Sequence, residues 1–322
     1  PMAIFFPLFT ILEDLGYLPR IAFNMDKLFK KCNACGKQAL TMCMGFGCNA
    51  CAITSCRIID SPRERLIAIL TNNFVPCNGR FPTLISIISM FFIGGAIGIY
   101  NSFFSAVFLI LIILLGVSMT FLISNILSKT ILKGIPTNFT LELPPYRKPE
   151  ILKTIVRSIF DRTLFVLGRA IVVSIPAGII IWLMANITIS DKTILLYITD
   201  FLNPFANLMG LDGIILMAFI LGFPANEIVF PIIIMSYLGE NTLMEIDNIN
   251  QLKELLLLND WTLNTAICMT IFCIFHWPCS TTCLTIYKET KSKKWTFISF
   301  IIPTLIGVIM CVSITLIFKI FS

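Results

Sequence analysis

The chain has 322 residues, 57% hydrophobic and only 13% charged, with a formal charge of +6, twelve cysteines and a single histidine. An ordinary soluble domain is about 45–50% apolar and about 25% charged, so this composition excludes a soluble fold and selects a membrane protein with room for roughly six to eight spanning or half-spanning segments. The positive charge is scattered over short loops without a long basic tract, and so reports on membrane orientation rather than nucleic-acid binding.

Taken in chain order, Pro1 to Phe9 opens inside an apolar run without a basic leader or a small-residue cleavage site. Residues 1–12 therefore read as the end of a helix that begins upstream. Glu13 and Asp14 stand where it emerges, as entry-site ligands or as plain interfacial charges. Continuous apolar runs predict spans at 83–99, 103–127, 165–188 and 295–320. Four other apolar stretches, 38–56, 66–79, 211–237 and 262–284, are interrupted by Gly, Pro, Asn and Cys, which break helices and release backbone groups from the internal ladder. The cysteines lie in or beside these apolar segments and read as thiols rather than a disulfide framework.

Charge gives the sidedness. Lys129 to Arg169 and the stretch after Tyr287 are basic and read as cytoplasmic, whereas 188–212 and 238–261 are acidic and read as external loops. The stretch 211–237 then enters and leaves on the external side. The stretch between the basic segments 20–37 and 57–65 enters and leaves on the cytoplasmic side. Arg63-Glu64-Arg65 reads as a solvated or headgroup-contacting face.

The two hairpins echo each other. Gly45-Phe46-Gly47-Cys48-Asn49 aligns with Gly222-Phe223-Pro224-Ala225-Asn226, and each is followed by a second break, Phe74-Val75-Pro76-Cys77-Asn78 and His276-Trp277-Pro278-Cys279-Ser280. A repeat with opposite flanking charge predicts an all-α polytopic membrane protein, an inverted repeat of two gate-like units with broken or re-entrant helices. The polar groups at the breaks are the thiols of Cys48, Cys77 and Cys279, the carboxylate of Glu227, the amides of Asn49, Asn78 and Asn226, and the imidazole of His276. Thiolate and imidazole suit borderline-soft divalent transition metals. An ionisable residue inside an apolar span costs about 2.5–3.5 kcal/mol at the helix centre, which makes Glu227 a functional candidate.

These residues carry a specific resemblance. Ile11 to Arg20 with Phe23-Asn24-Met25-Asp26, Gly45 to Asn49, Asp60 to Leu66, Asn73 to Arg80, Leu141 to Arg147, Gly222 to Glu227 and Pro278 to Thr282 resemble, in order, the membrane permease part of the FeoB ferrous iron transport family. The resemblance implies Fe²⁺ as the transported ion, imported across the bacterial cytoplasmic membrane along a path between two gate repeats. It implies metal contacts at Cys48, Cys77, Cys279 and Glu227, with Asn49, Asn78, Asn226, His276, Glu13 and Asp14 as candidate pathway residues. It also implies a first repeat over 1–80, a middle transmembrane pair with a basic cytoplasmic loop over 81–150, and a second repeat with a C-terminal helix over 151–322. Expected partners are membrane lipid, an N-terminal GTP-binding domain in the parent protein, a small FeoA-like cytoplasmic protein and further copies of the chain. No phosphate-loop motif occurs in these 322 residues, so nucleotide hydrolysis is not assigned to them.

Blander readings stand beside these. Free cysteines are often small buried hydrophobes, and Cys268, Cys273, Cys283 and Cys311 read as packing. Glu227 could cap the half-helix that follows it, and His276 could be a hydrogen-bonded structural residue. Cys32-x-x-Cys35 and Cys48-x-x-Cys51 have zinc-ribbon spacing; alternatively, Cys32 and Cys35 form a redox or accessory metal pair. A nucleoside or other small-solute transporter and a metal-binding membrane sensor are the competing functions. No constellation of catalytic side chains supports an enzyme.

Overall fold

A computed structural model describes residues 7–12, 15–92, 99–134, 156, 164–189, 192–238 and 249–321. The helices are α1 Tyr17–Lys31, α2 Gln38–Gly47, α3 Asn49–Ser55, α4 Pro62–Thr71, α5 Phe81–Ile87, α6 Ile99–Lys129, α7 Phe165–Asn186, α8 Ile194–Leu208, α9 Gly213–Leu221, α10 Val229–Leu238, α11 Ile249–Leu258, α12 Leu263–Phe275, α13 Ser280–Thr290 and α14 Lys293–Phe321. A two-residue antiparallel ladder, Thr188–Ile189 with Lys192–Thr193, is the one strand pairing among the described residues. The fold is therefore all-α.

Among the described residues, three helical segments are long and apolar enough to cross a membrane: Ser102–Lys129, Leu263–Thr290 and Lys293–Phe321. In the first and third only 22% of the apolar window is buried, against 61% in Leu263–Thr290. Ile110, Leu111 and Leu114 on α6, and Leu305, Ile309 and Leu316 on α14, are exposed. Helices that are apolar all round yet expose their apolar side chains are solvated by lipid, whereas the middle segment belongs to the protein interior.

The chain divides into two compact units. One comprises Pro1–Asn78, Ile113–Ile171 and Thr281–Phe300, and the other Gly79–Ile112, Val172–Ser280 and Ile301–Ser322. In the first unit α1 packs on α2 and α2 on α3, with the 3₁₀ turn Asn72–Phe74 against both α2 and α3. In the second, α8 and α9 pack together at a 110° bend, α9 packs on α10, and α12 packs on α5.

Two expectations from composition need correction. The acidic stretch 188–212 is largely helix rather than loop: Ile194–Leu208 is helical, started by Thr193, whose hydroxyl accepts from Leu196 N at 3.4 Å. Its single carboxylate, Asp200, is outweighed by an apolar surface that exposes Phe201 and Phe205. Nor is Arg63-Glu64-Arg65 a solvated face. Ser61 caps α4 by accepting from Glu64 N, Pro62 occupies the first turn, and Glu64 is 2% exposed. Arg63 donates to Leu132 O at 2.6 Å and to the Ser128 hydroxyl, and Arg65 donates to Ile59 O at 3.0 and 2.8 Å. Helix capping and free carbonyls pull these charges inward.

The predicted span at 83–99 begins as α5 and continues through a π-type turn, Ile88–Phe92; residues 93–98 lie outside the described residues. The span at 165–188 corresponds to α7, which carries Pro176.

Candidate functional site

Each unit holds a pair of helix breaks, and in each the two breaks are bonded to one another. In the first unit α2 stops at Gly47 because Cys48 turns to an extended backbone, φ −155° and ψ 122°, before α3 starts at Asn49. The Asn49 side chain sits at the restart and is buried. Its Nδ2 donates to Asn73 Oδ1 at 3.4 Å, and its Oδ1 accepts from Asn72 Nδ2 at 3.2 Å. Asn72 and Asn73 lie in the 3₁₀ turn that ends α4, immediately before Val75-Pro76-Cys77. An amide ladder thus ties the first break to the second.

The second unit repeats the arrangement with different chemistry. Helix α9 ends at Leu221; Ala225 takes φ −151° and ψ 121°, and the 3₁₀ turn Asn226–Ile228 restarts the chain into α10. Asn226 Oδ1 meets His276 Nε2 at 3.3 Å, and Ser280 N donates to Phe223 O at 2.8 Å. His276 Nδ1 faces two carbonyls, Phe272 O at 3.1 Å and Cys273 O at 2.9 Å. Carbonyls only accept, so Nδ1 carries the proton; Nε2 then faces the Asn226 side-chain amide, whose NH₂ donates to it once the amide oxygen and nitrogen are exchanged. The imidazole is 1% exposed and engaged at both nitrogens.

A cation is built into this break. Arg80 is 1% exposed, and its guanidinium donates to Ile274 O at 2.7 Å and to His276 O at 3.5 Å, closing the C-terminal end of α12. Reading by motif included Arg80 but assigned it no role. Its signal was a charge immediately before an apolar span.

Both second breaks also lie under a glycine. At Gly116 of α6 a Cβ would stand 2.6 Å from Phe74 O, and at Gly307 of α14 it would stand 3.0 Å from Phe275 O. Only glycine lets a helix backbone approach a broken helix this closely. Sequence reasoning missed these two positions, because each lies in an unbroken apolar run.

Of the expected metal contacts, Cys48 and Cys77 belong to the first unit and Cys279 and Glu227 to the second. The three thiols are half-buried, and Cys48 hydrogen-bonds with Cys51. Glu227 is exposed at the start of the turn into α10, with its Cγ beside Gly79: a Cβ on that glycine would be 3.0 Å away. Asn78 is half-buried next to Gly79. Glu13 and Asp14 lie outside the described residues. Among the described residues no three His, Cys, Asp or Glu side chains gather to hold a metal ion. This removes the four-thiolate ribbon of Cys32, Cys35, Cys48 and Cys51, whose two pairs are separated by the continuous helix α2. Cys268, Cys273 and Cys311 are buried, whereas Cys283 is half-exposed.

Comparison with known proteins gives a consistent set of relatives. The family model described as Gate, nucleoside recognition, matches residues 1–91 and 167–293, and that of the ferrous iron transport protein B C terminus matches residues 109–162. The chain is 30% identical over 314 residues to the Fe(2+) transporter FeoB of Staphylococcus aureus, covering 94% of the chain and 44% of that protein. It is 25% identical to FeoB proteins of Leptospira interrogans, over 95% of the chain and 46% of the relative, and of Methanocaldococcus jannaschii, over 98% and 46%. The chain thus spans a little under half the length of these relatives. No solved structure matches it.

Proposed function

From the chain's membership of the Gate family and of the FeoB family, we propose that it forms the membrane-embedded part of an Fe²⁺ transporter. The observation that carries this reading is the pair of cross-bonded helix breaks in each unit. Broken helices free backbone and side-chain groups at membrane depth, and such groups persist only where they line a cavity or are held by protein.

Cys48 and Cys77 in the first repeat, and Cys279 and Glu227 in the second, serve as the exchanging ligands. Thiolates with a carboxylate match a borderline divalent ion better than an all-oxygen set would. Dispersed ligands suit transport, since an ion must bind well enough to enter and weakly enough to leave. Asn49, Asn78, Asn226 and His276 hold the breaks in shape around these groups, and Glu13 and Asp14 serve at the entry. Arg80 fixes the end of α12. GTP binding is supplied by a further domain of the parent protein, with a FeoA-like protein, lipid and other copies of the chain as partners, at the bacterial cytoplasmic membrane.

The Gate description names nucleoside recognition, so the competing cargo is specific. Anaerobic uptake of ⁵⁵Fe²⁺ and of a radiolabelled nucleoside into proteoliposomes holding the full-length parent separates the two. Saturable iron uptake that excess nucleoside leaves unchanged supports the proposal; nucleoside uptake without iron uptake refutes it.

A further inference from the structure

Away from the breaks, the second unit holds a polar cluster inside otherwise apolar helices. Cys268 on α12 and Cys311 on α14 are both 0% exposed, and their thiols hydrogen-bond each other. Each also lies against the other's backbone, Cys311 Sγ to Cys268 O at 3.4 Å and Cys268 Sγ to Cys311 O at 3.7 Å. Around them stand Thr315 Oγ1, 3.5 Å from Cys268 Sγ, and Asn264 Oδ1, 3.6 Å from it, with Asn264 Nδ2 donating to Thr315 Oγ1 at 3.5 Å. The Gly210 backbone closes the remaining side; a Cβ there would be 3.2 Å from Cys268 Sγ.

Packing alone does not call for four polar side chains at one point of two apolar helices. Two adjacent sulfurs and no third strong ligand cannot satisfy Fe²⁺, but they match soft closed-shell cations that accept linear two-sulfur coordination. We propose that Cys268 and Cys311 form a two-sulfur site for a soft monovalent cation of the Cu⁺ and Ag⁺ class. The ion displaces one thiol proton to solvent and forms two sulfur bonds, leaving a thiolate–cation–thiol bridge. The bridge has no net charge, which suits its apolar surroundings, and Asn264 and Thr315 supply hydrogen bonds at its edge. Asn264 is half-buried two residues beyond Thr262, the cap of α12, and so marks the way in. An occupied site would pin α12 to α14, and α12 leads directly into the break at His276–Cys279.

The test uses the full-length parent in detergent under a phosphine reductant, with Ag⁺ as the probe and native mass spectrometry as the readout. C268S and C311S should each bind about one Ag⁺ fewer than the native protein, and the double variant no fewer than either single one. A double variant that loses twice as many, or none, would overturn the shared site. Should the variants fail to fold, dibromobimane on the native protein decides: it should join the peptides carrying Cys268 and Cys311, and prior Ag⁺ should block that joining. Unblocked joining, or a disulfide already linking the two residues, would refute the proposal. Neither readout depends on iron transport.

Discussion

Cys48 and Ala225 hold the same extended backbone, φ −155° and ψ 122° against φ −151° and ψ 121°, at aligned positions of the two repeats. Each is followed by a buried asparagine that reaches across to the second break of its own unit. The repeat is therefore one of backbone geometry, and the partner of the asparagine is where the halves diverge: amides in the first, imidazole in the second.

That ladder predicts the effect of Asn49→Leu. The substitution removes the acceptor of Asn72 Nδ2 in a buried place, and a buried donor left unmatched costs about 1–3 kcal/mol. Thermal unfolding in detergent should show a clear loss for Asn49→Leu. Asn186→Leu, at an exposed position near the end of α7, should cost far less.

The close approach at Gly116 predicts another loss. Its Cβ would meet Phe74 O at 2.6 Å, whereas a Cβ at Gly178 would meet nothing within 4 Å. Gly116→Ala should destabilise by about 1–3 kcal/mol, the usual range for overpacking, while Gly178→Ala should be neutral or mildly stabilising. Equal unfolding temperatures for the two variants would contradict the contact.

Arg80 carries the charge that closes α12. Arg80→Met removes both donors from Ile274 O and His276 O, whereas Arg80→Lys keeps the charge but not the planar fork. Iron uptake at equal protein should fall in the order native, Lys, Met. A methionine variant with native uptake would show that the carbonyls find other donors.

Cys35 gives a pH signature outside the spans. Burial pushes its thiol up to about 11, so at pH 8 about a thousandth is thiolate, and thiolate is the reactive form. N-ethylmaleimide should modify the half-exposed Cys32 well before Cys35. Because the shift is upward, the Cys35 rate should keep rising beyond pH 9, as peptide mapping can show.

The helix breaks were legible because Gly, Pro and Asn inside apolar runs leave a strong local mark: Cys48, Ala225, Pro76 and Pro278 sit at or beside them. Loop reading by charge missed the helix Ile194–Leu208 within 188–212, whose apolar face is defined by packing. The inward turn of Arg63 and Arg65 was invisible for a similar reason, since their acceptors are backbone carbonyls, one of them 69 residues away. Motif reading found the breaks but not what binds them. Asn72, Asn73, Gly116 and Gly307 owe their roles to three-dimensional proximity, which no spacing announces.

The most direct test of the central claim is anaerobic Fe²⁺ uptake into proteoliposomes of the full-length parent, comparing the native protein with the Cys48→Ser, Cys77→Ser, Cys279→Ser variant at matched insertion and folding. Saturable uptake should be lost in the variant. Uptake equal to that of the native protein would show that iron passes without these thiols and would contradict the ligand path proposed for the two repeats.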